Sequence, residues 1–165
     1  ALSHPERISK LLIADIAPVS YPPHHLKIIA GLQAIDLSKV MKRKDADTQL
    51  APYVDNVGVR QFLLRNLAVN SQGKFAFKCS LSDISLCYPQ IMKANVKPVE
   101  KSAYSGQTLF IKGGDSDYIL AEHREAIAAL LPNSKAKIIQ GAGHWLHAEK
   151  TIAFNKIVSD FIKSE

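Results

Sequence analysis

The chain has 165 residues, 47% of them hydrophobic and 22% charged, enough apolar material for a folded core and too much for a predominantly disordered tract. No apolar run approaches the roughly 20 residues that span a bilayer, and none has the pattern of a secretory signal. The net charge of +6 is concentrated in the middle: residues 24–100 carry +5, whereas the two flanks are nearly neutral.

Residues Ala1 to Pro5 read as the tail of a helix begun elsewhere, and the first residue is not Met, so the expectation is the C-terminal portion of a longer protein; a processed mature chain is the alternative. Ile8 to Ile16 is a short apolar run stopped at Ala17-Pro18, the pattern of a buried parallel strand with Asp15 at its C-terminal end. Helical spacing follows over His24 to Leu37, Val57 to Leu67 and Leu81 to Met92, the last containing Pro89, which is expected to end or kink it. Lys74 to Lys78 alternates and reads as extended.

After Gly106 the sheet pattern returns. Gln107 to Lys112 is a strand running into Gly113-Gly114-Asp115-Ser116-Asp117, Ala121 to Leu131 a helix, Ala136 to Gln140 a strand, and Gly141 to Trp145 its terminal loop. The last helix places Phe154, Ile157, Val158, Phe161 and Ile162 on one face. The order is that of an α/β protein with a helical excursion after its first strand. Core residues 1–23 and 99–165 are therefore expected to bracket a helical insert over 24–98.

His144 lies just past a strand, in a loop turned by Gly141 and Gly143, where a general base can be held rigidly and still reach substrate; Trp145 could wall the pocket. Two acids compete to orient it: Asp15 after the first strand, and the Asp115/Asp117 pair flanking Ser116 after the second. Each also suits a turn or a helix cap, and spacing does not decide between them. No Gly-x-Ser-x-Gly occurs anywhere, so a base and acids are present without a recognisable nucleophile. His144, His147 and Glu149 lack the spacing of a helical zinc site, and no metal is expected. Cys79 and Cys87 form neither a disulfide framework nor a zinc pattern, which points to a reducing, cytoplasmic setting, with an organelle as the alternative. The basic run Lys39 to Lys44 reads as a solvated loop or as an attractor of an anionic substrate; without interleaved aromatic residues, it argues against nucleic acid.

Taken together, His4 to Ile8, Leu11 to Pro18, Arg60 to Leu67, Phe110 to Ser116 and Gly143 to Lys150 resemble the α/β-hydrolase superfamily, and more narrowly the YbfF-type esterases and their mitochondrial relatives. The resemblance implies a partial α/β-hydrolase fold, C-terminal strands and helices of a mostly parallel sheet, with an inserted helical cap. It places the general superfamily acid at the position occupied here by Ser116, and the narrower family's acid at Asp15, with Asp115 in reserve. His144 matches the catalytic histidine, and Ser116 and Trp145 become pocket residues. The implied activity is hydrolysis of small-molecule acyl esters or thioesters by a Ser-His-Asp triad whose serine lies upstream, with no cofactor; the basic charge of the middle segment adds acyl-CoA to the expected substrates. The alternative is a truncated or degenerate hydrolase domain that binds an acyl ligand or a partner without turnover. Oligomeric state is not legible.

Overall fold

A computed structural model describes residues 1–94 and 103–164. A 3-10 turn over Pro5–Arg7 leads into β1, Lys10–Ala14. Next come α1 (Leu26–Gln33), α2 (Arg43–Leu50), α3 (Val57–Leu63), β2 (Leu67–Val69), β3 (Phe75–Phe77) and α4 (Leu81–Ile91). The chain then returns through β4 (Gln107–Gly113), α5 (Arg124–Leu130), β5 (Ser134–Ile139), α6 (Leu146–Glu149) and α7 (Thr151–Lys163). Two compact units result, residues 1–20 with 94–165 and residues 21–93. The expected boundary at 98 and 99 lies outside the described residues.

In the first unit β1, β4 and β5 form a parallel sheet in that order, with Leu12 opposite Leu109 and Phe110 opposite Ala136. Parallel strands covered on both faces need apolar residues on both. Strand β4 supplies them: Leu109 and Ile111 pack with Ile139, Ala142, Leu146 and the α7 residues Phe154, Ile157, Val158 and Phe161. Phe110 points the other way, into Tyr104, Leu130 and Leu131, joined by Leu11 and Ile13 of β1. The Lys10 amine donates to the Phe161 and Ile162 carbonyls, closing the C-terminal end of α7.

The second unit packs Leu32, Ile35, Val40, Ala46, Leu50, Val54, Leu64 and Leu67 into its own core. Arg60 is buried there, its guanidinium paired with Asp47 at 2.8 Å and donating to the carbonyls of Val54 and Asp55. Arg43 ties the start of α2 to the carbonyls of Leu64 and Leu67.

Three local expectations change. Residues 1–4 are irregular, not the end of a helix. Pro89 does not end α4, which continues to Ile91; so near the C-terminus the missing N–H removes a single hydrogen bond. The pattern read as helix through Leu67 stops at Leu63, a 3-10 turn follows, and Leu67–Val69 pairs antiparallel with Phe75–Phe77. Three residues are too few to show a strand period.

Candidate active site

Asp15 is the residue after β1, and its backbone N–H donates to Ile111 O, extending the parallel ladder by one bond. At that point the chain turns out of the sheet: Asp15 has φ 48°, the left-handed region that most side chains avoid and Asp tolerates better than most. The turn leaves its carboxylate fully buried at the C-terminal edge of the sheet, the edge where open α/β folds place ligands.

A buried carboxylate must be satisfied by donors. Oδ1 accepts the Gly113 N–H at 2.9 Å, and Oδ2 accepts the Ser116 hydroxyl. Nδ1 of His144 also lies 2.9 Å from Oδ2. Among the described residues, every buried side-chain nitrogen and oxygen has a hydrogen-bond partner. Strand β4 thus supplies a backbone donor and the turn after it a hydroxyl, both to the acid of the neighbouring strand.

The loop bearing His144 is built by contact with the end of β4. Gly141 has φ 66° and makes the turn. Gly113 approaches so closely that a Cβ there would stand 2.2 Å from the Gly143 carbonyl oxygen. Asp115 donates its N–H to Ala142 O, and the exposed Glu149 carboxylate accepts the Gly143 N–H at 2.7 Å. These bonds leave the His144 side chain 38% exposed while the Asp15 side chain is 1% exposed. One edge of the imidazole is therefore held inside and the rest of the ring reaches outward.

The two candidate acids separate clearly. The carboxylate on His144 is that of Asp15, whereas Asp115 and Asp117 are exposed and Asp115 uses its backbone on the histidine loop. Ser116, expected to face a pocket, is 6% exposed, and its hydroxyl donates to Asp15. Trp145 is half-buried next to His144 in sequence. Among the described residues, no three His, Cys, Asp or Glu side chains converge in a way that could hold a metal ion, and Glu149 of the His144/His147/Glu149 group is turned to the backbone of Gly143.

Sequence reasoning missed Tyr118, whose ring stacks on the His144 imidazole with centroids 3.7 Å apart and planes 17° apart. It also missed the Gly113 contact. Neither carries a local signal, because each depends on how the loops after β4 and β5 meet.

Searched against protein-family models, the chain matches none. It is 34% identical over 168 residues to the sn-1-specific diacylglycerol lipase ABHD11 of Mus musculus, covering 98% of this chain and 53% of that protein. Its identity to Esterase YbfF of Escherichia coli is 33% over 158 residues, covering 95% and 59%. A solved marine microorganism esterase superposes with a TM-score of 0.91 at 36% identity, covering 97% of this chain and 63% of that one. The chain belongs to the α/β-hydrolase superfamily. It forms part of the α/β-hydrolase fold, a parallel sheet with helices, and spans about half the length of the first two relatives. Those relatives are esterases and lipases. No helix among its described residues is long and apolar enough to cross a membrane.

Proposed function

We propose that this α/β-hydrolase chain carries the acid–base half of a serine-type acyl-ester hydrolase. His144 is the base and Asp15 the acid that orients it. The reading rests on one observation, the buried Asp15 carboxylate 2.9 Å from Nδ1 of a histidine whose ring reaches outward. With Oδ2 accepting at Nδ1, the neutral imidazole carries its proton there and presents an unprotonated Nε2. Nε2 takes the proton of an attacking serine hydroxyl, and the serine oxygen bonds to the acyl carbon. The imidazolium, paired with Asp15, then gives that proton to the leaving alcohol or thiol as the carbon–oxygen or carbon–sulfur bond breaks. Water repeats the sequence and releases the carboxylic acid. Ser116 and the Gly113 N–H hold the carboxylate in place through both hydrogen bonds.

The serine is assigned to sequence preceding residue 1, because these 165 residues contain no Gly-x-Ser-x-Gly. On this reading the chain is inactive by itself, and residues 24–98 are the cap. The substrate class is small to medium acyl esters, extended to acyl-CoA thioesters by the cap's excess of lysine and arginine, among them the exposed Lys42 and Lys44.

The test is labelling with a serine-directed fluorophosphonate. A protein extended through the preceding reading frame should be labelled and should hydrolyse p-nitrophenyl acyl esters, and H144A should abolish both. An extended wild-type protein that resists the probe and cleaves no ester would overturn the reading in favour of a binding domain without turnover.

A further inference from the structure

We propose that Tyr118 is a positioning residue for His144, fixing the plane of the imidazole and favouring its cation. A hydrogen bond from Nδ1 to Asp15 holds one edge of the ring and leaves it free to pivot about that contact. A second ring 3.7 Å away and inclined by only 17° removes the pivot, because rotation of the imidazole out of plane would drive it into the phenol. The stack is not a chance meeting of surface side chains. The Tyr118 N–H donates to Ser116 Oγ at 3.2 Å, Ser116 Oγ–H donates to Asp15, and the Ser116 N–H returns to Gly113 O. One three-residue turn therefore braces the acid with its first residue and covers the base with its third.

The electrostatics agree with the geometry. An aromatic face carries negative potential and attracts a cation, so it favours imidazolium over imidazole. Charged groups also stand on the elements packed around the ring. Asp15 is in contact, and Glu149 holds the Gly143 N–H. The Lys112 amine donates to the Gly113 and Ser116 carbonyls, and the Lys150 side chain runs past Gly141. Asp115 and Asp117 are exposed on the turn itself.

The inference builds on His144 as the base, but its test reads the imidazole directly and needs no turnover. In the 165-residue chain labelled at histidine, NMR titration gives the His144 pKa, and ring relaxation gives its mobility. Y118F keeps the aromatic face and should titrate with wild type; Y118L should titrate about 0.5 pH lower, with a more mobile ring. An unchanged His144 in folded Y118L, or a Y118F that behaves like Y118L, would overturn the proposal. Should Y118L fail to fold, Y118W decides: its stronger face must raise the titration point above that of Y118F, and equal values would refute the role. Loss of this effect in a protein that still hydrolyses esters through His144 would remove Tyr118 alone.

Discussion

Gly113, the last residue of β4, lies against Gly143 so closely that a methyl group on the first would stand 2.2 Å from the carbonyl oxygen of the second. The contact joins the strand end that donates to Asp15 with the loop that carries His144. Because the obstacle is backbone, G113A cannot be relieved by a rotamer change. We expect it to cost about 1–3 kcal/mol, read as a lower urea midpoint with an unchanged m-value. The Nδ1–Asp15 hydrogen bond should weaken at the same time.

Glu149 holds the same loop from outside, through the Gly143 N–H. E149Q keeps an acceptor at that place and should leave stability nearly unchanged, whereas E149A should cost about 1 kcal/mol. Amide hydrogen exchange at Gly143 distinguishes them: fast in E149A, protected in E149Q and wild type.

Much of this arrangement is legible in the sequence, for a physical reason. An apolar run that halts at Asp15, and a His144 that follows Gly141 and Gly143 after another strand, both fall at the C-terminal ends of parallel strands, and parallel strands bring those ends to one edge. Choosing Asp15 over Asp115 needed family resemblance, because a strand-end aspartate and a loop aspartate look alike along the chain. The stacking of Tyr118, the commitment of Ser116 to Asp15 and the three-residue strand β2 were illegible. Each is created by a partner distant in sequence, and none leaves a periodic trace.

The second unit depends on a buried cation. Arg60 is 9% exposed and is satisfied by Asp47 and two carbonyls. R60A leaves Asp47 without its partner and the Val54 and Asp55 carbonyls without those donors, at a cost of about 3–5 kcal/mol. R60M, which fills the space but removes the charge, should also unfold the unit more easily because the carbonyls stay unsatisfied. Chemical denaturation followed by circular dichroism measures both.

Asp45, in the first turn of α2, accepts the N–H groups of Lys42 and Met41. Those bonds, the Lys42 N–H foremost, hold its carboxyl below the ordinary value of 3.8. A depressed carboxylate stabilises the fold above its unfolded pKa and loses that contribution as pH falls through its folded pKa. Wild type should therefore melt above D45N at pH 6, with the gap closing below about pH 4. A gap that does not narrow as pH falls below about 4 would show that the charge of Asp45 is not its source.

Asp15 is the residue on which the proposed chemistry turns. Asn tolerates positive φ and can accept the Gly113 N–H, so D15N should fold. Its amide nitrogen, placed at Oδ2, would donate to His144 and move the imidazole proton to Nε2, where it blocks the base. In the extended protein, activity should fall by about 10⁴-fold.

Nitrogen-15 NMR of the His144 imidazole measures that tautomer directly in the 165-residue chain. With Asp15 as the orienting acid, neutral His144 carries its proton on Nδ1 in wild type and on Nε2 in D15N. A wild-type His144 protonated at Nε2, or a tautomer indifferent to D15N, would contradict the pairing from which the proposed activity follows.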